Sequence, residues 1–110
     1  MIPQITTKQL QATRQLLKNL KEFTDKRYGN ITELMILTNK MLPNTIIIKY
    51  EKSFTSGGNR DYEFRIATID QNGEISFIDE KFKDVFERTS FLAECKFFNL
   101  ENENEYEKID

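Results

Sequence analysis

The sequence predicts an α+β fold, with two N-terminal helices packed on one face of a three- to four-stranded antiparallel sheet and a short helix before the last strand. Three observations predict it: an amphipathic stretch after Thr6, an apolar stretch after Asn30, and alternating apolar residues over 44–79 that are interrupted by turn signals. A chain of 110 residues has the size of one domain that buries enough surface to fold without disulfides or metals.

The first predicted helix begins at Thr6. Thr6 and Gln9 form the pattern of a capping box, and Ile5 is placed to pack on Leu10 as a hydrophobic staple. Leucines then recur at helical spacing, with polar residues between them. Gly29 supplies the left-handed position that commonly ends such a helix.

The second predicted helix covers Asn30 to Leu42. Asn30 can cap it, Glu33 stands three residues later, and Pro43 would stop it. This stretch is apolar nearly all round, which favours burial between the first helix and the sheet.

Three antiparallel strands are predicted between Asn44 and Asp79. The Asn72-Gly73 pair predicts a type I′ hairpin with a two-residue loop, because both central residues of that turn need positive φ. This register sets Thr68 opposite Phe77 and Ile66 opposite Asp79, so that Ile66, Thr68 and Phe77 share one face.

The C-terminal part is predicted to hold a short helix from Glu80 to about Arg88 and a fourth strand from Phe91 to Leu100. Phe98 and Leu100 would lie on an uncovered sheet face, an arrangement that would allow a homodimer. Residues 101–110 are acidic and offer no evident core residue, so they are predicted to be a flexible tail after a single domain at 1–100.

Composition excludes several kinds of site. The chain has no histidine, which excludes Ser-His, Cys-His and His-ligated zinc sites, and no metal or cofactor is predicted. Cys95 is the only cysteine and cannot form an internal disulfide, which favours the cytoplasm. No apolar run approaches the ~20 residues that span a bilayer, so no membrane association is predicted.

The predicted function is a small cytoplasmic, non-enzymatic protein-binding module: an inhibitor, adaptor or chaperone-like factor of the kind that phages and mobile elements encode. The charge is uneven, since residues 1–60 carry ten basic and four acidic side chains and residues 61–110 carry six and fourteen. An acidic half without a catalytic constellation suits recognition of another protein. The predicted partner-binding residues are Arg60, Asp61, Glu63, Arg65, Glu101, Glu103, Glu105 and Glu107.

The alternative function is binding of nucleic acid. Arg14, Lys18 and Lys21 line one face of the first helix, and Arg60 stands in a long hairpin loop. Helices followed by such a hairpin resemble a winged helix in topology, and the resemblance implies that these four residues contact phosphates. The sequence pI of 5.3 lies below the basic range typical of such domains, so this function ranks second.

A ribonuclease ranks third. The order of the elements resembles that of small ribosome-dependent ribonuclease toxins, which work without histidine. The resemblance implies that Lys49, Arg60, Tyr62 and Arg65 stabilise a charged transition state and supply a phenolic acid.

Overall fold

A computed structural model describes residues 2–26, 29–78 and 93–110 of the chain. In chain order, the elements are β1 (Gln4–Thr6), α1 (Thr7–Lys26), β2 (Asn30–Asn39), β3 (Leu42–Ser56), β4 (Asn59–Ile69), β5 (Ile75–Phe77), β6 (Cys95–Phe97), a 3-10 turn (Glu103–Glu105) and β7 (Glu107–Ile109). The predicted α+β class with an antiparallel sheet is confirmed.

The strands form two sheets. Five antiparallel strands lie in the order β5-β4-β3-β2-β6, and β1 pairs in parallel with β7. The prediction of three to four strands is therefore corrected to five strands in the main sheet.

The second predicted helix is wrong, because Asn30 to Leu42 forms strand β2 and the turn into β3. Within β2, Leu37 pairs with Ile47 on one side and with Phe97 on the other. Neighbouring apolar residues point to opposite faces, since Ile36 packs on the core beneath α1 and Leu37 belongs to the cluster on the other face. A strand that is covered on both faces reads as a near-continuous apolar run, which periodicity alone does not distinguish from a buried helix.

The first predicted helix is confirmed as α1, including its capping box. The Thr6 hydroxyl accepts a hydrogen bond from the Gln9 backbone N–H at 3.1 Å, and the Gln9 side-chain oxygen accepts one from the Thr6 N–H at 3.2 Å. In the described residues α1 is the one α-helix on the sheet, where two were predicted. Its buried leucines share the main core with residues of β3 and β4: Leu10, Leu16, Leu20, Ile46, Ile48, Tyr50, Ala67 and Ile69.

The opposite face of the sheet has its own small core, formed by Leu37, Ile47 and Ile66. Because Ile46, Ile47 and Ile48 are all at most 1 % exposed, β3 is buried on both faces. We call the face beneath α1 the helix face and the other the distal face.

The turn between β4 and β5 differs from the prediction by one residue. Thr68 pairs with Ser76, and Phe77 pairs with Ala67. Since strand side chains alternate between faces, Ile66 and Phe77 lie on opposite faces instead of sharing one.

Asp70 causes the different turn. Its carboxylate accepts hydrogen bonds from the backbone N–H groups of Asn72 and Glu74 at 2.9 and 3.0 Å, and its carbonyl accepts one from Gly73 at 3.0 Å. Gly73 has a φ of +80°, whereas Asn72 does not adopt positive φ. The side chain of Asp70 thus closes a longer loop than the type I′ turn.

The predicted helix from Glu80 to about Arg88 and the start of the fourth strand lie outside the described residues. The described part of that strand is β6, which pairs with β2 at the far edge of the sheet. Phe98 and Leu100 are 6 % and 5 % exposed and belong to the core beneath α1. The expectation of an uncovered face at these residues is wrong, because that face is filled by the helix.

Residues 101–110 contain the 3-10 turn and β7. Tyr106 is 6 % exposed, its hydroxyl donates a hydrogen bond to the Leu100 carbonyl at 3.0 Å, and its ring centroid lies 5.5 Å from that of Phe98. Tyr106 is therefore a core residue in a segment for which the sequence analysis predicted none.

Candidate protein-binding edge

Strands β3 and β4 form a long hairpin that extends well beyond the part of β4 that pairs with β5. The two strands pair without interruption from Ile46–Ile69 to Ser56–Asn59, and Gly57 and Gly58 close the turn with φ of +58° and +85°. Two consecutive left-handed residues are what a tight two-residue hairpin turn requires. The long hairpin loop predicted around Arg60 is therefore a tight two-residue connection, and Arg60 itself lies in β4.

Within the described ranges, one edge of this hairpin has no neighbouring strand over part of its length. Strand β5 pairs only with Ala67–Ile69 of β4, and Ile78 donates its N–H to the Ile66 carbonyl at 2.8 Å. Between Asn59 and Glu63, none of the residues that the structure describes forms a strand on the side of β4 that faces away from β3. We call Asn59–Glu63 the open edge.

The hydrogen bond from the Ile78 N–H to the Ile66 carbonyl shows in which direction the backbone groups of β4 point. The Ile66 carbonyl points away from β3, and backbone groups alternate in direction along a strand. The N–H and C=O of Arg60 and Tyr62 therefore point outward, whereas those of Asp61 and Glu63 bond to β3. An edge of this kind can take an added strand.

The side chains of the open edge divide between the two faces. Asp61 and Glu63 pair with Phe54 and Lys52 on the helix face. Tyr62 lies on the distal face and is 65 % exposed. Alternation with Phe64 and Ile66 predicts that Tyr62 is buried beside them. Tyr62 does share their face, but its exposed ring shows that the predicted burial is wrong.

The basic residues nearby are already engaged. Arg60 donates a hydrogen bond to the Ser53 hydroxyl at 2.7 Å, and Arg65 forms an ion pair with Glu63. Burial raises the pKa of the Tyr50 hydroxyl, and the charge of Arg65 partly opposes that rise. Asp61 is exposed and forms no ion pair with any residue in the described ranges.

A small cleft of about 280 Å³ lies on the helix face next to the open edge. It is lined by Phe23, Lys52, Phe54, Thr55 and Glu63. The Lys52 ammonium lies 4.9 Å from the centroid of the Phe23 ring, a cation–π contact that ties the end of α1 to the hairpin. The hairpin is thus anchored by the helix near the base of the open edge.

The predicted partner-binding residues fall into two separate groups. Arg60, Asp61 and Glu63 lie on the open edge, and Arg65 follows on the same strand. The four glutamates lie near the start of α1, where Glu101 pairs with Arg14 at 3.4 Å. Gln9, near the start of α1, donates a hydrogen bond to the carbonyl of Asn44 in β3. The β3 partner of Arg60 is Thr55, which lies about 36 Å further along the strand at ~3.3 Å per residue, so the two groups are far apart.

The predicted nucleic-acid residues do not share one surface. Arg14 forms an ion pair with Glu101, whereas Lys18 and Lys21 are exposed on α1. Arg60 pairs with Thr55 and bonds to Ser53, so it lies on the distal face, across the sheet from the helix.

The residues that the ribonuclease hypothesis requires are also divided. Lys49, Arg60 and Tyr62 lie on the distal face, and Arg65 lies opposite Tyr50 on the helix face. Lys49 is placed over the Phe64 ring at 5.4 Å.

A second cleft, with a volume of about 660 Å³, lies at the other end of the sheet. Leu42, Phe97 and Phe98 contribute apolar surface, and the ion pair between Lys40 and Glu94 at 2.8 Å lies among its lining residues. Two basic and two acidic side chains line it, so it shows no preference for a charged ligand.

Sequence reasoning missed the open edge itself. The observed loop places Ile78 beside Ile66, where the predicted turn would place Asp79, and within the described residues β5 pairs with Ala67–Ile69. Strand β4 has eleven residues and β5 has three. This difference in length becomes known only when the ends of both strands are located.

Among residues 2–26, 29–78 and 93–110, no cluster of three or more acidic or cysteine side chains could hold a metal ion, and no helix is long and apolar enough to cross a membrane.

Comparison with known proteins identifies no relative: no family model matches the chain, and neither a curated protein nor a solved structure matches it significantly.

Proposed function

We propose that this protein is a non-enzymatic protein-binding module that pairs an extended segment of its partner with the open edge of β4. The observation that carries the proposal is the outward direction of the Arg60 and Tyr62 backbone groups, with no strand beside them in the described part of the chain. Main-chain hydrogen bonds to such an edge provide affinity, and side chains on the two faces provide specificity.

The surrounding side chains support a role in recognition. Tyr62 is a large exposed aromatic residue next to the outward backbone groups, and tyrosines are enriched at the centres of protein interfaces. The ionisable groups Lys49 and Arg65 lie on opposite faces of the sheet, an arrangement that favours binding over catalysis. We accordingly propose an inhibitor, adaptor or chaperone-like factor, and the free thiol of Cys95 supports a cytoplasmic location.

The first test replaces Tyr62 by proline. The Tyr62 N–H points away from β3, so Tyr62→Pro preserves the β3–β4 ladder while it removes one outward donor and blocks a neighbouring strand. We expect proteins that the wild-type chain captures from its host to be lost from Tyr62→Pro. Tyr62→Ala is the matched control, because it removes the ring and keeps the N–H; we expect it to retain the partner with weaker affinity.

Hydrogen exchange then locates the contact. In the free protein the Tyr62 amide should exchange fast and the Asp61 and Glu63 amides slowly, since only the latter two bond to β3. Binding of the captured partner should slow the exchange of Tyr62. Equal capture by the proline variant, with circular dichroism that shows an intact fold, would refute the proposal.

A further inference from the structure

We infer that the segment accepted by the open edge belongs to a different protein and carries a basic residue opposite Asp61, and that a second copy of this chain is rejected. This inference rests on the proposed function and adds the chemistry of the partner. It follows from the pairing registers that the open edge allows and from the charges those registers bring together.

Strand β5 limits the registers of a symmetric dimer. In a two-fold pairing of β4 with itself, the strands are antiparallel and each residue faces one of the second copy. If Glu63 or a later residue faced itself, Asn59 of the second copy would run alongside Ala67 or beyond, where β5 already lies. Only registers centred on earlier residues fit beside the sheet.

Registers centred on Tyr62, Asp61 or Arg60 bring like charges together. Backbone groups of Arg60 and Tyr62 point outward, so the paired strands must align even-numbered residues with even-numbered ones. With Tyr62 opposite itself, each Asp61 faces a Glu63; with Asp61 opposite itself, the two Asp61 carboxylates meet. Like charges directly opposite each other destabilise a strand pair, so these acidic side chains protect the edge against self-association.

Glu63 and Asp61 differ in whether they can gain a basic partner from a strand of another protein. Glu63 is paired with Arg65 and lies opposite Lys52 on β3, so it already has basic neighbours within the chain. Asp61 lies opposite Phe54, is exposed, and forms no ion pair within the described residues. A lysine or arginine facing Asp61 therefore gains an opposite charge, and its aliphatic stem can pack towards the Phe54 side of the helix face.

The distal face determines which side chains are preferred on either side of the basic residue in the added strand. Residues of the added strand on either side of the basic residue point to the distal face, where Tyr62 is 65 % exposed. A β-branched or aromatic side chain fits beside Tyr62, because such cross-strand pairs stabilise a sheet. The preferred segment is thus a basic residue between two β-branched or aromatic ones.

The experiment uses three fluorescein-labelled peptides that differ at the central position: Ser-Thr-Val-Xaa-Val-Thr-Ser, with Xaa as Lys, Gln or Glu. Binding to the full chain is measured by fluorescence anisotropy and by amide chemical shifts at low salt. We expect the Lys peptide to bind about tenfold more tightly than the Glu peptide, with Gln between them. Asp61→Lys should reverse that order, whereas Asp61→Asn should abolish the difference.

The outcomes separate the inference from the proposed function. Equal binding of the three peptides, with shifts at Tyr62 that disappear in Tyr62→Pro, would refute the basic preference and leave strand addition standing. Absence of any shift at the open edge at millimolar peptide would refute both. A dimer detected by light scattering for the wild-type chain and lost in Tyr62→Pro would refute the rejection of a second copy, whereas a monomer is expected.

Discussion

At the scale of single residues, Gln9 connects three parts of the fold. The side chain is fully buried, and its amide nitrogen donates to the carbonyls of Asn44 and Ile69 at 2.8 Å each. Its amide oxygen accepts from the Thr6 N–H as half of the capping box. Gln9 thereby links the start of α1 to β3 and β4 through a side chain that has no access to water.

Replacing Gln9 by methionine keeps the volume of the side chain and removes these hydrogen bonds. The buried Ile69 carbonyl and the partly buried Asn44 carbonyl would lose a donor, so we expect the free energy of unfolding to fall by about 2–3 kcal/mol. Urea denaturation followed by circular dichroism measures it. Gln11→Met is the control, since Gln11 is exposed on the same helix; a similar loss in both variants would show that the buried hydrogen bonds are not responsible.

At the scale of one element, β2 shows how a strand accommodates an irregularity. Its register with β3 shifts between Thr32 and Met35, and Glu33 has a φ of +54° in this bulge. A left-handed conformation is strained for a residue with a Cβ atom, whereas glycine adopts it readily.

We therefore expect Glu33→Gly to stabilise the protein by up to about 1 kcal/mol, because relief of the left-handed strain outweighs the added freedom of the unfolded chain. Thermal and urea unfolding give the value. Thr32→Gly, one residue away in regular strand conformation, should lower stability by about 0.5–1 kcal/mol. Destabilisation by both glycines would mean that the bulge does not hold Glu33 in that conformation in solution.

At the scale of the whole molecule, the beginning and the end of the described chain are joined. Strand β1 pairs with β7, with Ile5 opposite Lys108, and Thr7 donates a hydrogen bond to the Asp110 carboxylate at 2.6 Å. Tyr106, which precedes β7, belongs to the core beneath α1. The segment after Leu100 thus contributes to the same core as the helix.

The two tyrosines Tyr106 and Tyr62 test this arrangement. Tyr106→Ala should lower the free energy of unfolding by about 3–5 kcal/mol, because it opens a cavity in the core. Tyr62→Ala should change it by less than about 1 kcal/mol, since that ring is exposed. Guanidinium unfolding of both variants makes the comparison; equal, small effects would show that 101–110 does not pack on the core.

The amino-acid sequence by itself determined the local features. The capping box of Thr6 and Gln9, the amphipathic α1 and the alternating pattern of β3 and β4 depend on neighbours within a few residues, so their physical signals are present in short stretches. It also placed Arg60, Asp61 and Glu63 together, because they are consecutive in one strand.

Only the tertiary structure decided the rest. Residues 30–39 form a strand because β3 and β6 lie on its two sides and cores cover both of its faces; the same apolar run would suit a buried helix if those partners were elsewhere. The Asp70 carboxylate shifted the β4–β5 register by one residue, and in the part of the chain that the structure describes β5 pairs with Ala67–Ile69 and leaves the open edge of β4 without a neighbour. These outcomes depend on pairing between distant segments, and that pairing has no signature within either segment alone.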